Sequence, residues 1–164
     1  MNKSEFSLVD AIDAIQEVLN HGGEFRLYPK GRSMLPLIRQ EKDSVVLKKR
    51  IDQSNLPLKR KEIAFYRRDN GQFVLHRVMR IERDGTYTMC GDNQLYLEKN
   101  IRADQVIGYV DGIYKKDHLL SLTSFRYRLY VLVWTWMPLR YCVKFPTRAW
   151  RWLGRKMKRK SIQR

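Results

Sequence analysis

Glu62-Ile63-Ala64-Phe65-Tyr66, then Gln72-Phe73-Val74-Leu75-His76-Arg77-Val78-Met79-Arg80-Ile81-Glu82, then Thr86-Tyr87-Thr88-Met89-Cys90 is the stretch that decides the fold. These are three apolar-rich runs, heavy in β-branched and aromatic residues, which pack well on a pleated surface. Asn70-Gly71 lies in the loop between the first two, and Asp84-Gly85 joins the second to the third. Asn-Gly and Asp-Gly supply the positive φ angles that tight hairpin turns need. The pattern predicts an antiparallel three-strand meander.

Reading outward, Ser44 to Leu47 is a strand, and Glu24 to Tyr28 another, ended by Pro29 and Gly31. Downstream, Gln105 to Val110 and Ile113 to Tyr114 are split by Asp111-Gly112 and read as a further hairpin. Residues 50 to 61 are polar, contain Pro57 and read as a loop. In residues 7 to 20, Leu8, Ile12, Ile15, Val18 and Leu19 recur at helical spacing; Ser7 can cap the start and Gly22-Gly23 ends the run. The expected class is mainly β: an antiparallel β-domain with a short N-terminal helix and a basic, aromatic-rich helical C-terminal tail. The expected division is 1–23 for the helix, 24–118 for the β-domain and 119–164 for the tail.

Composition bounds the rest. A chain of 164 residues and 19.7 kDa, 43% hydrophobic, is one domain able to form a core, with room for an appendage. Cys90 and Cys142 are far apart and supply neither a disulfide framework nor a zinc site. No cofactor or metal is expected. The formal net charge is +16, and residues 119–164 hold twelve Lys and Arg with no acid. Such a tail fits an anionic partner. Glu5, Asp10, Asp13 and Glu17 interrupt the first twenty residues, so no secretory signal is read there. No run of about twenty apolar residues predicts an ordinary spanning helix.

Three short stretches carry possible chemistry. Gly31-Arg32-Ser33-Met34-Leu35-Pro36 places a serine on a turn just past a strand. Leu75-His76-Arg77-Val78 offers a histidine on the central strand of the meander, and Gly91-Asp92-Asn93 an acid at the end of its third strand. A serine hydroxyl is a weak nucleophile at neutral pH; it needs a base within hydrogen-bond reach and, behind that base, an acid to set the tautomer. Each stretch also has an ordinary reading: a turn serine, a packed strand histidine, and good turn chemistry in Gly-Asp-Asn.

The ordered set G-x-S-M-x-P, H-R-V and G-D-N resembles the signal peptidases, and among them the endoplasmic-reticulum, archaeal and sporulation type that uses histidine as base, within the superfamily shared with the LexA-like autoproteases. The resemblance covers residues 24 to 114. It implies a LexA/signal-peptidase-like β-domain, Ser33 as nucleophile, His76 as base, and small residues before the scissile bond of the substrate. No lysine lies in Phe73 to Val78, which disfavours the lysine-base version. The family also implicates an acid a few residues beyond G-D-N, where this chain has Glu98. The third member is expected to be Asp92, with Glu98 as the alternative. Family members carry a membrane anchor just before the serine, and residues 1–32 show none.

The expected function is therefore a serine endopeptidase that removes a leader or signal segment from a precursor peptide by a Ser-His mechanism. The alternative is a non-catalytic or regulatory LexA-fold protein that binds nucleic acid or membrane through its basic tail. Residues 129–139 are apolar and aromatic, bounded by Arg128 and Arg140, and too short to span a bilayer. Tryptophan, tyrosine and arginine suit an interfacial helix. The expected partners are a peptide or precursor-protein substrate and an anionic membrane surface held through residues 119–164, with nucleic acid disfavoured. The expected location is membrane-associated, peripheral or C-terminally anchored, with cytoplasmic as the alternative.

Overall fold

The computed structural model describes residues 8–50 and 58–142. Ser7, Pro57 and most of the basic tail therefore lie outside the described residues. One helix, α1 (Leu8–Asn20), precedes eight strands: β1 (Phe25–Leu27), β2 (Asp43–Lys48), β3 (Ile63–Arg67), β4 (Phe73–Ile81), β5 (Tyr87–Cys90), β6 (Glu98–Ile101), β7 (Val106–Lys115) and β8 (His118–Leu120). A second helix, α2 (Phe125–Trp134), follows, and helical backbone resumes over 137–142. All strands pair antiparallel in one sheet of order β1-β2-β7-β3-β4-β5-β6, with β8 added beside β7. The fold is mainly β, as the turn and strand pattern predicts.

The meander β3-β4-β5 forms where expected. Gly71 and Gly85 hold φ of 84° and 82° in its two turns, which only glycine adopts at no steric cost. The hairpin expected at Asp111-Gly112 does not form. β7 runs straight through it, and Asp111 is the extra residue of a β-bulge, since Leu47 faces Val110 and Val46 faces Gly112. The Asp111 carboxylate turns outward to Lys48 (2.8 Å). The real turn lies later, between β7 and β8, where Lys116 takes the positive φ.

The sheet is covered on both faces, because the four successive residues Ile63 to Tyr66 of β3 are apolar and buried and alternate between the faces. Ile63 and Phe65 of β3 join a core made with Ile12, Ile15 and Leu19 of α1 and with Met34, Leu37 and Ile38. Ala64 and Tyr66 of the same strand join a second core with Val78, Tyr87, Met89 and Ile101. α1 ends as predicted at Gly22-Gly23: Gly22 takes a φ of 80°, and a Cβ on Gly23 would lie 2.7 Å from a Val18 methyl carbon. Val18, on the helical stripe read from the sequence, is largely exposed.

Candidate active site

The Ser33 segment is a series of turns between β1 and β2, tied down from inside. Met34, Leu37 and Ile38 are buried, so Ser33 is half-exposed on an anchored loop. The Gly91-Asp92-Asn93 turn presses against it. Asn93 N–H donates to the Ser33 carbonyl (2.6 Å), and the Asn93 side-chain amide donates to the Arg32 carbonyl (3.0 Å). A Cβ on Gly91 would sit 2.6 Å from the Ser33 carbonyl oxygen, so glycine is required for this close approach. Two stretches almost sixty residues apart are thus locked together through backbone.

His76 lies on β4 opposite Ala64 of β3 and is almost fully buried. It shares with Ser33 a cleft of about 300 Å³, walled also by Met34, Phe73, Leu75 and Gln94. Its Nδ1 is 3.2 Å from the Tyr66 hydroxyl and 3.7 Å from Glu98 Oε2. The Tyr66 hydroxyl in turn donates to Glu98 Oε2 (3.0 Å). Arg68 grips both oxygens of Glu98, Nε to Oε1 at 2.7 Å and Nη2 to Oε2 at 2.6 Å. Such a fork on a carboxylate fixes its orientation as well as its charge.

Hydrogen inventory settles the tautomer. Burial pushes the Glu98 carboxyl up, but the hydrogen bonds from Arg68 and Tyr66 outweigh this and hold it below the usual range. An ionised carboxylate only accepts. Burial, and then the Glu98 charge, raise the Tyr66 phenol well above its ordinary value, so it keeps its one proton and gives it to Glu98. The Tyr66 oxygen is then an acceptor toward His76, and Nδ1 must carry the hydrogen. Nε2 is left with a free lone pair, the form a general base needs. Burial, opposed in part by Glu98, brings the imidazole down to about 4, so it is neutral near pH 7.

Asp92 has a different neighbourhood. Both its oxygens are taken by Arg77, at 2.8 Å from Nε and 2.7 Å from Nη2, and neither group is exposed. Tyr130 of α2 donates to its Oδ2 (3.0 Å), Trp134 Nε1 to its carbonyl (2.7 Å), and Arg140 Nη2 lies 3.5 Å from its Oδ1. Arg140 is itself buried, donating to the Trp134 and Gly91 carbonyls. Among the described residues Asp92 makes no hydrogen bond to His76; the carboxylate beside Nδ1 is Glu98.

Strand register explains the exchange. Residues directly opposite in an antiparallel pair point to the same face, and neighbours along a strand point to opposite faces. Arg77 faces Cys90, the last residue of β5, so its side chain leaves the sheet on the other face from His76 and meets Asp92 in the turn just beyond that strand. Val78 faces Met89, and Met89 faces Glu98 across β6, so Glu98 shares the face of Val78 and His76. Tyr66 and Arg68 were not singled out in the sequence. Tyr66 reads as one more apolar strand residue, and only its pairing beside His76 gives its hydroxyl a task.

The stretch expected to be a separate tail is, over α2 and 140, hydrogen-bonded into this same body. Arg77 Nη1 approaches the Tyr127 hydroxyl (3.4 Å), and Tyr130 and Trp134 stack with centroids 5.8 Å apart over the Asp92 turn. Among the described residues no three His, Cys, Asp or Glu side chains gather as metal ligands, and no helix is long and apolar enough to cross a membrane. Compared with known proteins, the chain matches no family model, no curated protein and no solved structure.

Proposed function

We propose that the chain is a serine endopeptidase of the signal-peptidase kind. The observation that carries this reading is the His76 imidazole, neutral and with Nδ1 engaged by the Tyr66–Glu98 pair, on the wall of the cleft that holds Ser33. The motif resemblance in residues 24 to 114 points the same way.

The chemistry follows from those groups. Ser33 Oγ attacks a peptide carbonyl while His76 Nε2 takes its proton, forming a tetrahedral oxyanion. In this reading the backbone N–H of Ser33, on its fixed turn, donates to that oxygen. The imidazolium then returns the proton to the leaving amine, which departs as the new N-terminus. A water, deprotonated by the same nitrogen, attacks the Ser33 ester; the imidazolium returns that proton to Ser33 Oγ as the carboxylate product leaves. Glu98 acts behind the base: it stabilises the imidazolium through Tyr66 and holds the ring in the productive tautomer. The proposed substrate is an extended peptide segment of a precursor protein, since a sheet that flanks a cleft offers main-chain pairing.

The test is labelling of purified protein with a fluorophosphonate, read by intact mass and by peptide mapping. One adduct on Ser33 is expected, with none on Ser33→Ala and slow labelling of His76→Gln. Cleavage of a peptide library should fall by at least about a thousandfold in Ser33→Ala, and the double variant should be no worse than either single. His76 is almost fully buried, so glutamine is a better replacement than alanine, which would open a cavity. Near-normal turnover by a folded Ser33→Ala would end the proposal.

A further inference from the structure

α2 has two faces, and only one is used by the domain. Tyr127, Tyr130, Val131 and Trp134 turn inward, where three of them meet Arg77 or Asp92. The opposite face carries Phe125, Leu129, Leu132 and Val133, continued just past the helix by Trp136. The spacing i, i+4, i+7, i+8 and i+11 makes one stripe. Phe125, Leu132 and Trp136 are 78%, 61% and 62% exposed, and no described residue covers them. The inner face is already committed, so the domain's own core cannot take the stripe up. Scattered apolar residues on a surface mean little, but a continuous stripe marks a contact.

Its surroundings select the partner. At about 100° per residue, Arg128 falls on one side of the stripe and Arg126 on the other, both exposed. A groove of about 960 Å³ runs along the Arg128 side; Arg50, Lys59, Arg60 and Lys61 outnumber Glu62 and Asp111 in its lining, beside the exposed Leu119. Residues 119–164 contain twelve Lys and Arg and no acid. A second copy of a chain with a formal charge of +16 would meet repulsion at this face. Nucleic acid offers phosphates to the arginines and bases that stack on Phe125 and Trp136, but nothing for the aliphatic Leu129, Leu132 and Val133 between them. An anionic bilayer offers both, with headgroup phosphates at the rim and an acyl boundary in the centre.

We infer that the outer face of α2 is a docking surface for an anionic lipid bilayer, with Phe125, Leu129, Leu132, Val133 and Trp136 entering the headgroup–acyl boundary and Arg126 and Arg128 at phosphate level. Docking leaves the helix in place, because its inner face stays hydrogen-bonded to Asp92. The inference is independent of the chemistry assigned to Ser33.

The test is co-sedimentation of the full chain with phosphatidylcholine vesicles, with and without about a third phosphatidylglycerol, at low and at about 0.5 M salt. The expected result is binding to the anionic vesicles that weakens with salt and retains a salt-resistant part. Leu132→Glu/Trp136→Glu should lose that salt-resistant part by at least about tenfold. Arg126→Gln and Arg128→Gln, both at exposed positions, should each weaken low-salt binding about fivefold and leave high-salt binding unchanged. Each variant is first checked for an unchanged melting temperature. Equal high-salt binding by wild type and Leu132→Glu/Trp136→Glu overturns the inference, as does equal affinity for neutral and anionic vesicles. Lipid-free self-association that the glutamates abolish, or single-stranded nucleic-acid binding that they weaken, also overturns it and assigns the stripe to that partner.

Discussion

Two carboxylates six residues apart, Asp92 and Glu98, sit in opposite circumstances. Asp92 is completely buried, gripped by Arg77 and capped by Tyr130, and its backbone turn carries Ser33. Glu98 is on the edge strand β6, 15% exposed at its side chain, and reaches His76 through Tyr66. Both carry an arginine fork. The difference is what lies on the far side: a packed helix for one, a cleft with a titratable base for the other. A buried ion pair of the first kind gives position; removing one partner strands the other charge. A partly open acid of the second kind can respond to the charge that the proposed reaction places on the imidazole.

The largest effect that sharpens this contrast is on stability. Asp92→Asn should cost about 3–5 kcal/mol by leaving Arg77 and Arg140 buried without their counter-charge, measured by urea unfolding. Activity per folded molecule should fall much less. A stable Asp92→Asn protein with a collapsed rate would make Asp92 the acid behind the base and undo the comparison. Glu98→Gln should do the reverse: a loss in kcat/KM of about a hundredfold with unfolding changed by less than about 1 kcal/mol. Tyr66→Phe removes one hydroxyl from the relay and keeps the ring. A loss of about tenfold in kcat is expected with KM unchanged, because Tyr66 does not line the cleft. An equal loss for Tyr66→Phe and for Glu98→Gln would mean that the acid acts only through the phenol.

The smallest effect lies on the pH axis. His76 must be neutral to act as a base, and its ionisation in the folded protein is brought down to about 4. kcat/KM should therefore be level from neutral pH down to about 5 and fall only as pH drops through 4. Arg68 works against charge on His76, so Arg68→Gln should move this acid limb upward, by about one unit at most. The same depression has a stability sign. Between about 4 and the ordinary histidine value of about 6.5, the unfolded chain binds a proton that the folded chain does not, so stability falls as pH is lowered through that window. A limb near 6.5 in the wild type would show that His76 is more open to water than its burial implies.

Much of the frame was readable residue by residue. Asn70-Gly71 and Asp84-Gly85 supply positive-φ glycines, and the meander turns there. Ser33 falls on a turn past a short strand because Pro29 and Gly31 stop that strand. Asp111-Gly112 has the same local chemistry and does not turn, because β2 pairs with β7 both before and after it, from Tyr109 to Lys115, and the sheet absorbs the extra residue as a bulge. β6 escaped notice because it is short and edge-placed, with Ile101 its one buried apolar residue, so it carries no hydrophobic period. Without β6, nothing brings Glu98 back beside His76.

By itself, then, the sequence determined the strands of the meander, the α1 helix, the serine on its turn and the histidine on β4, since each depends on periods and turn residues a few positions long. It also determined that residues 119–164 are cationic and aromatic, the composition from which the proposed anionic partner is argued. Tertiary structure decided which acid serves which cation. That choice rests on register, and a one-residue slip sends every side chain of a strand to the other face. Two bulges, at Val78/Arg80 and Tyr87/Met89, lie between His76 and the two acids and reset the count. No local pattern counts across them; only the folded sheet places Glu98 with His76 and Asp92 with Arg77.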